Sequence, residues 1–308
     1  MVDFLDNVLP DECVCAIWAL LQPQDLRAVM RVSSAWAASA APILYRNIDI
    51  GTVKSLQRLL CTVQHRPGWA ASTRRLCLRQ TSIDLDAENN TQSLAGPAAS
   101  LLQRLPALQE LRIEGSWSGD LVHLLGHSPA LTSFCYDRWC DVTGNPSLQD
   151  CDELGRGLHY LHRTLEHLDL RVRLYSTCAE EVDSLEIIPV RGHLHSLPRF
   201  SNLRTLRVPI AMLLGWTPQE APEIEQLLPR SLRNLSLSED LAMQCTYQWP
   251  EEVLVDKLET FFAAMARKEH TLELVKIYPE KAWGGWEDAT KERVQEMATR
   301  AGVRCIVA

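Results

Sequence analysis

The chain has 308 residues, of which 46% are hydrophobic and 23% charged, a balance typical of a folded protein with one large domain or a small and a larger one. Its formal net charge of −8 argues against a general nucleic-acid binder, since phosphate contacts need a basic face. No apolar run approaches the ~20 residues of a membrane span, and the ten cysteines without short paired spacings fit reduced thiols. We therefore expect a cytoplasmic or nuclear protein with no membrane or nucleic-acid partner.

Residues 9–45 predict three short helices. Pro10 stands where a first helical residue belongs, and Pro23 ends the first helix. Apolar residues recur at i, i+3, i+4 and i+7 along this helix, at Val14, Ile17, Trp18 and Leu21. Ser33 or Ser34 can cap the third helix. Three helices in about 40 residues cannot close a core unaided, so we expect another surface to cover them.

This segment resembles an F-box over roughly residues 8–50. The resemblance lies in Leu9-Pro10, Glu12, Ile17, the break at 22–26, Val32, Trp36, and 42–46 with Ile48. It implies a docking module that binds the Skp-type adaptor of a cullin-RING (SCF) ubiquitin ligase and, through it, a cullin. The apolar residues expected to contact the adaptor are Leu9, Pro10, Ile17, Leu21, Leu26, Val32 and Trp36. The alternative is that this apolar set forms only the local core of a helical cap on the next domain.

A pattern close to LxxLxL recurs, almost entirely beyond residue 50. The clearest copies begin at Leu108, Leu131, Leu165, Leu203 and Leu232, and weaker copies begin at Tyr45, Thr73 and Leu272. Helical patterns separate most copies, at 54–64, 98–105, 120–125, 153–162, 222–228 and 252–268. A last helix at 286–301 and a terminal strand at 303–307 follow.

The alternation predicts an α/β protein in which a three-helix F-box (1–50) precedes an irregular solenoid with parallel strands (51–308). The second part resembles leucine-rich repeats, in which each unit buries its face against its neighbours. The whole chain then resembles a fungal-type F-box protein with leucine-rich repeats.

An enzyme reading finds no catalytic constellation. His123 and His127 stand at i, i+4, but no glutamate lies between them as an HExxH site requires. In the segment 115–119, which imitates GxSxG, Trp117 occupies the nucleophile position. We expect a non-catalytic protein without cofactor or metal.

The loops that follow the strands carry two biases. The segments 114–120, 137–152, 209–225, 238–252 and 278–288 contain sixteen acidic residues against Arg138 and Lys281. They also contain six of the nine tryptophans: Trp117, Trp139, Trp216, Trp249, Trp283 and Trp286. Helix dipoles account for the charge, because these loops run into helix N-termini. The tryptophans are either binding anchors or pins that hold irregular loops on the solenoid.

The sequence therefore predicts a substrate receptor of an SCF-type ubiquitin ligase. The expected substrate site is an acidic, tryptophan-rich rim that receives a basic protein segment. Its residues are Trp117, Trp139, Trp216, Trp249, Trp283, Glu239, Asp240, Glu251 and Glu252. The alternative is a repeat scaffold or protein-interaction module with no connection to a ligase.

Overall fold

A computed structural model describes residues 9–80, 95–116, 120–141, 149–175, 190–242, 244, 247, 249–279 and 285–308. Three helices come first, α1 (Asp11–Ala19), α2 (Pro23–Val29) and α3 (Ser34–Leu44). Ser33 caps α3, since its side-chain oxygen accepts a hydrogen bond from the Trp36 N–H at 3.1 Å. Pro23 is the first residue of α2, where its missing N–H costs nothing. The helical leader thus follows the predicted order.

Nine strands form one sheet after this leader. They are β1 (Asn47–Ile50), β2 (Arg75–Gln80), β3 (Glu110–Gly115), β4 (Ser133–Asp141), β6 (His167–Tyr175), β8 (Thr205–Pro209), β9 (Asn234–Ser238), β10 (Leu274–Tyr278) and β11 (Arg304–Val307). Two short strands, β5 (Gln149–Asp150) and β7 (Val190–Arg191), form a separate parallel pair.

The strands of the large sheet follow one another in chain order, and every neighbouring pair is parallel. Helical segments connect them. These are α4 (Val53–His65), α5 (Pro67–Ala70), α6 (Ala95–Leu102), α7 (Leu121–Gly126), α8 (Cys151–His159), α9 (Ile210–Leu214), α10 (Ile224–Leu227), α11 (Glu251–Met265) and α12 (Asp288–Arg300). The predicted alternation with parallel strands is confirmed, whereas the leucine-rich-repeat solenoid stays a prediction.

The two leucine positions of the recurring pattern point into the core. In one register Leu111, Phe134, Leu168, Leu206 and Leu235 lie side by side on adjacent strands, each at most 1% exposed. The residues between them face outward because successive side chains of a strand alternate between faces. One continuous core therefore lies between the sheet and its connecting helices.

β1 belongs to two parts of the molecule at once. It follows α3 after two residues and pairs with β2, as Ile48 aligns with Leu76 and Ile50 with Leu78. The helical leader is therefore joined to the sheet by a hydrogen-bonded strand. None of the helices within the described ranges has the length and apolar character that a membrane crossing requires.

Candidate functional site

The three leading helices have a small core of their own. Trp18 and Leu26 are buried there, and the rings of Trp18 and Trp36 pack with centroids 5.1 Å apart. The Trp18 indole N–H donates to the Ser39 hydroxyl at 3.1 Å. Leu21 is half-buried against the same cluster. Of the predicted adaptor residues, Leu21, Leu26 and Trp36 therefore hold the helices together.

Other apolar side chains of these helices remain exposed to solvent. Ile17 is 44% exposed, Val32 47% and Leu20 84%, while Pro10 is exposed and Leu9 half-buried. Leu20 was not among the predicted adaptor residues, although it follows Ile17 by three residues and so neighbours it on the helix surface. An exposed apolar surface thus remains on a domain whose internal core is already closed.

The tryptophans of the predicted rim face mainly inward. Trp249 is 1% exposed, and its indole N–H donates to the Gly215 carbonyl at 2.9 Å. Trp216 is half-buried and meets Tyr247 edge to face, with ring centroids 5.9 Å apart. Trp286 is 4% exposed. Trp249 holds an irregular loop in place because its whole ring is buried, and its predicted role in substrate binding stays a prediction.

Of the three other tryptophans in the predicted rim, the structure describes one. Trp139 is half-buried and carries the Arg173 guanidinium 5.9 Å from its ring centroid. Trp117 and Trp283 lie outside the described residues. The segment 209–225, expected to be a surface loop, instead begins with the fully buried helix α9, because Ile210–Leu214 is an uninterrupted apolar run.

The carboxylates of the predicted rim are buried, hydrogen-bonded to the backbone, or placed in the first turn of a helix. Glu239 is 8% exposed, and the Asp240 carboxylate accepts a hydrogen bond from the Val172 N–H at 3.0 Å. Burial raises the pKa of the Asp240 carboxyl, and that hydrogen bond offsets part of the effect. Glu251 and Glu252 lie in the first turn of α11, half-buried and exposed respectively, where the helix dipole favours them. Glu239 therefore packs inside, and its predicted place in a substrate site stays a prediction.

A different surface, the outward face of the large sheet, carries many charged side chains that lie close together. We call it the strand face, and a cleft of about 640 Å³ runs across it from β1 to β10. Among strand residues whose side chains are described, its cations are Arg75, Arg79, Arg112, Arg171, Arg173, Arg207, Lys276 and Arg304, and its carboxylates are Asp49, Glu110, Glu114, Asp137 and Asp169. This surface is net positive although the chain carries −8.

Ion pairs join neighbouring strands of the strand face. Arg79 bridges Asp49 at 2.6 Å and Glu114 at 3.3 Å, which links β1, β2 and β3. Arg173 on β6 holds the buried Asp137 of β4 through a forked contact of 2.7 to 3.1 Å. This surface was not predicted, because the predicted repeat rested on the inward leucines alone. The signal was the residue between them, which is charged in Leu111-Arg112-Ile113 and Leu168-Asp169-Leu170.

Two thiols lie in the cleft between these charges. Burial raises the pKa of Cys77, and it raises the pKa of Cys135 to about 11 with a smaller contribution from the Asp169 charge. Both thiols are therefore protonated at neutral pH, and the thiolate that a nucleophile requires is scarce.

Two pairs of histidines have their rings in contact. His123 and His127 meet edge to face with centroids 4.6 Å apart, and His159 stacks on His162 at 4.9 Å. Within the described part of the chain, no group of three or more His, Cys, Asp or Glu side chains could hold a metal ion.

A comparison with family models identifies the helical leader. Residues 6–51 match the family described as F-box-like, a segment that contains α1 to α3 and β1. The protein therefore has an N-terminal F-box-like domain, which indicates an adaptor or receptor role in SCF complexes. A comparison with curated proteins finds no significant match.

Proposed function

We propose that the protein is a substrate-receptor subunit of an SCF-type ubiquitin ligase. Its F-box-like domain would dock a Skp-type adaptor and, through it, a cullin, while the sheet domain binds a target protein. The receptor performs no chemistry of its own in this proposal. It raises the effective concentration of the target's lysines near the ubiquitin-loaded enzyme.

The observation that carries the proposal is the exposed apolar surface of the F-box-like domain. Five large apolar side chains in the described residues are more than a third exposed, and three of them are Ile17, Leu20 and Val32. All three lie within residues 17–32, in the segment whose own core contains Trp18 and Leu26. Because single exposed apolar residues are ordinary and a local concentration is not, this surface fits a partner contact.

The connection between the two parts also suits a receptor. The backbone N–H groups of Arg74 and Arg75 both donate to the Arg46 carbonyl, at 2.9 and 3.1 Å, directly before β1 begins. β1 then pairs with β2 along its whole length. A receptor with this joint would hold its target at a defined distance from the adaptor, since no flexible linker separates the domains.

Affinity purification from cells is the direct test of the proposal. We expect the tagged full-length protein to retain both a Skp-type adaptor and a cullin. Replacement of Leu9 and Pro10 by alanine should abolish their capture while the sheet domain stays folded. A variant that begins at residue 51 is a poor substitute, because it lacks β1 and exposes the edge of β2.

The control is Tyr160→Ala, which removes another exposed apolar side chain, 54% exposed, outside the F-box-like domain. Its capture of adaptor and cullin should equal that of the unaltered protein. Recovery of the adaptor without a cullin would contradict the ligase role. Recovery of neither would favour the alternative, a repeat scaffold whose helical leader is only a cap.

A further inference from the structure

We propose that the strand face holds an acidic segment of the target protein, with Arg207 as the residue that receives a carboxylate side chain. This inference deepens the receptor function and rests on it for the role of the bound segment. The site itself is defined by the sheet and can be tested without any adaptor.

The first observation is the state of the arginines on β2 to β6. Each arginine on the outward side of these strands has a carboxylate partner, so its positive charge is already paired with a negative one. The pairs are Arg75 with Glu110 at 2.5 Å, Arg79 with Asp49 at 2.6 Å, Arg112 with Glu114, Arg171 with Asp169 at 2.5 Å and Arg173 with Asp137 at 2.7 Å. All five described carboxylates of the strand face take part in these ion pairs.

Arg207 on β8 is the exception. Its closest carboxylate oxygen belongs to Asp169, 3.9 Å from its Nε, and that carboxylate already accepts two hydrogen bonds from Arg171. The Arg207 Nε is buried and has no hydrogen-bond partner in the described part of the chain. A buried N–H without an acceptor is unfavourable. The side chain of Arg207 is 27% exposed, and this exposed part is where an incoming acceptor can reach the guanidinium.

The surroundings hold the Arg207 guanidinium in place. It lies over the Tyr278 ring, 4.7 Å from the centroid, and only 27% of its side chain is exposed. The neighbouring residue of β9 is Ser236, a small side chain that leaves room above the sheet, and Thr205, Ser236 and Tyr278 line the same cleft. A preorganised guanidinium loses little freedom when it binds a carboxylate.

Charge complementarity identifies the occupant. Among the described residues, Lys276 and Arg304 form no ion pair and Arg207 has only the 3.9 Å contact with the Asp169 that Arg171 already holds; all three cations lie on β8 to β11. The Asp240 carboxylate also attracts Arg207 and Arg171, but it is largely buried and accepts the Val172 N–H. The strand face pairs its arginines with carboxylates throughout, and the planar fork of arginine matches that group. An extended segment rich in glutamate or aspartate therefore fits the cleft, whereas a basic segment would meet unpaired cations.

The test is fluorescence anisotropy of a labelled hexaglutamate peptide added to the full-length protein at low salt. We expect binding, and a loss of about tenfold in affinity for Arg207→Gln, because one charge-assisted fork is removed. The matched control is Arg75→Gln on the same face, whose guanidinium is already paired with Glu110. Its affinity should change less than about twofold.

Lys276→Gln is the second variant, used if Arg207→Gln melts at a lower temperature than the unaltered protein. It should also weaken hexaglutamate binding, since it removes an unpaired cation of the same half of the face. Absence of hexaglutamate binding, or equal losses in the Arg207 and Arg75 variants, overturns the site. Preferred binding of hexalysine overturns it in favour of an acidic rim. A phosphoserine hexapeptide that binds more than tenfold tighter than hexaglutamate overturns the assignment to carboxylates.

None of these outcomes depends on the ligase. If the protein captures no adaptor but binds hexaglutamate through Arg207, the proposed function is contradicted and the proposed site is supported. If the protein captures adaptor and cullin but does not bind hexaglutamate, the function is supported and the site is contradicted.

Discussion

The Tyr45 ring stacks on the Trp69 ring, with centroids 5.0 Å apart and planes inclined by 25°. Tyr45 follows the last helix of the F-box-like domain, whereas Trp69 lies in α5, between the first two strands of the sheet. The stack therefore spans the joint between the two parts, alongside the strand β1. Burial raises the pKa of the Tyr45 hydroxyl, so that this ring remains neutral in the interface.

Loss of this stack should loosen the joint. We expect Tyr45→Ala to cost about 1 to 3 kcal/mol of unfolding free energy, since it removes a half-buried aromatic pair. Hydrogen exchange should show the change first in the amides of Asn47–Ile50. Tyr45→Phe keeps the ring and should cost little. Equal effects of the two substitutions would show that the hydroxyl, not the stack, stabilises the joint.

Trp249 should prove structural when its hydrogen bond is removed. Trp249→Phe keeps an aromatic ring but leaves the Gly215 carbonyl without its donor, which should cost about 1 to 3 kcal/mol in urea unfolding. Trp139→Phe is the control, because the buried Trp139 Nε1 has no hydrogen-bond partner among the described residues. A larger loss for Trp139→Phe than for Trp249→Phe would argue against the pin.

A core substitution should have a local effect on this sheet. Leu168 lies between Phe134 and Leu206 on the adjacent strands, and Leu168→Ala should cost about 2 to 5 kcal/mol through the cavity it leaves. Amide protection should fall most on β4, β6 and β8, because each unit is supported mainly by its neighbours. The outward-facing His167→Ala should change stability by less than about 0.5 kcal/mol. Uniform loss of protection along the whole chain would indicate a single cooperative core instead of a repeat array.

The Asp240 carboxyl should make stability depend on pH. Its folded-state pKa is raised above 3.8 by burial, so the folded protein favours the protonated form. The stability it contributes is present below pH 3.8 and is lost as the pH rises through the folded-state pKa, whereas asparagine does not titrate. The advantage of Asp240→Asn over the original protein should therefore grow between about pH 4 and pH 7 in urea unfolding.

An advantage of Asp240→Asn that shrinks as the pH rises would contradict the role assigned to burial.

The sequence was sufficient to predict the strand–helix alternation, because inward leucines with period two and helical stripes are local signals. It also placed the F-box-like segment, since ten positions of defined type stand in order there. It could not distinguish the tryptophans that hold loops in place from those that would bind a partner. Whether Trp249 faces the core or the solvent depends on Gly215, 34 residues earlier in the chain. Arg207 could not be identified for the same reason. That it lacks a carboxylate of its own on the neighbouring strands is seen only when those strands are aligned.

The most direct test of the account is binding of a purified Skp-type adaptor to the purified full-length protein, measured by calorimetry. We predict a stable complex that is lost when Ile17 and Val32, both exposed in the F-box-like domain, are changed together to aspartate. Tyr160→Asp, which places the same charge on an exposed apolar position elsewhere, should bind the adaptor as the unaltered protein does. Absence of a complex with the unaltered protein, or full binding by the Ile17 and Val32 variant, would contradict the proposal that this domain docks the adaptor.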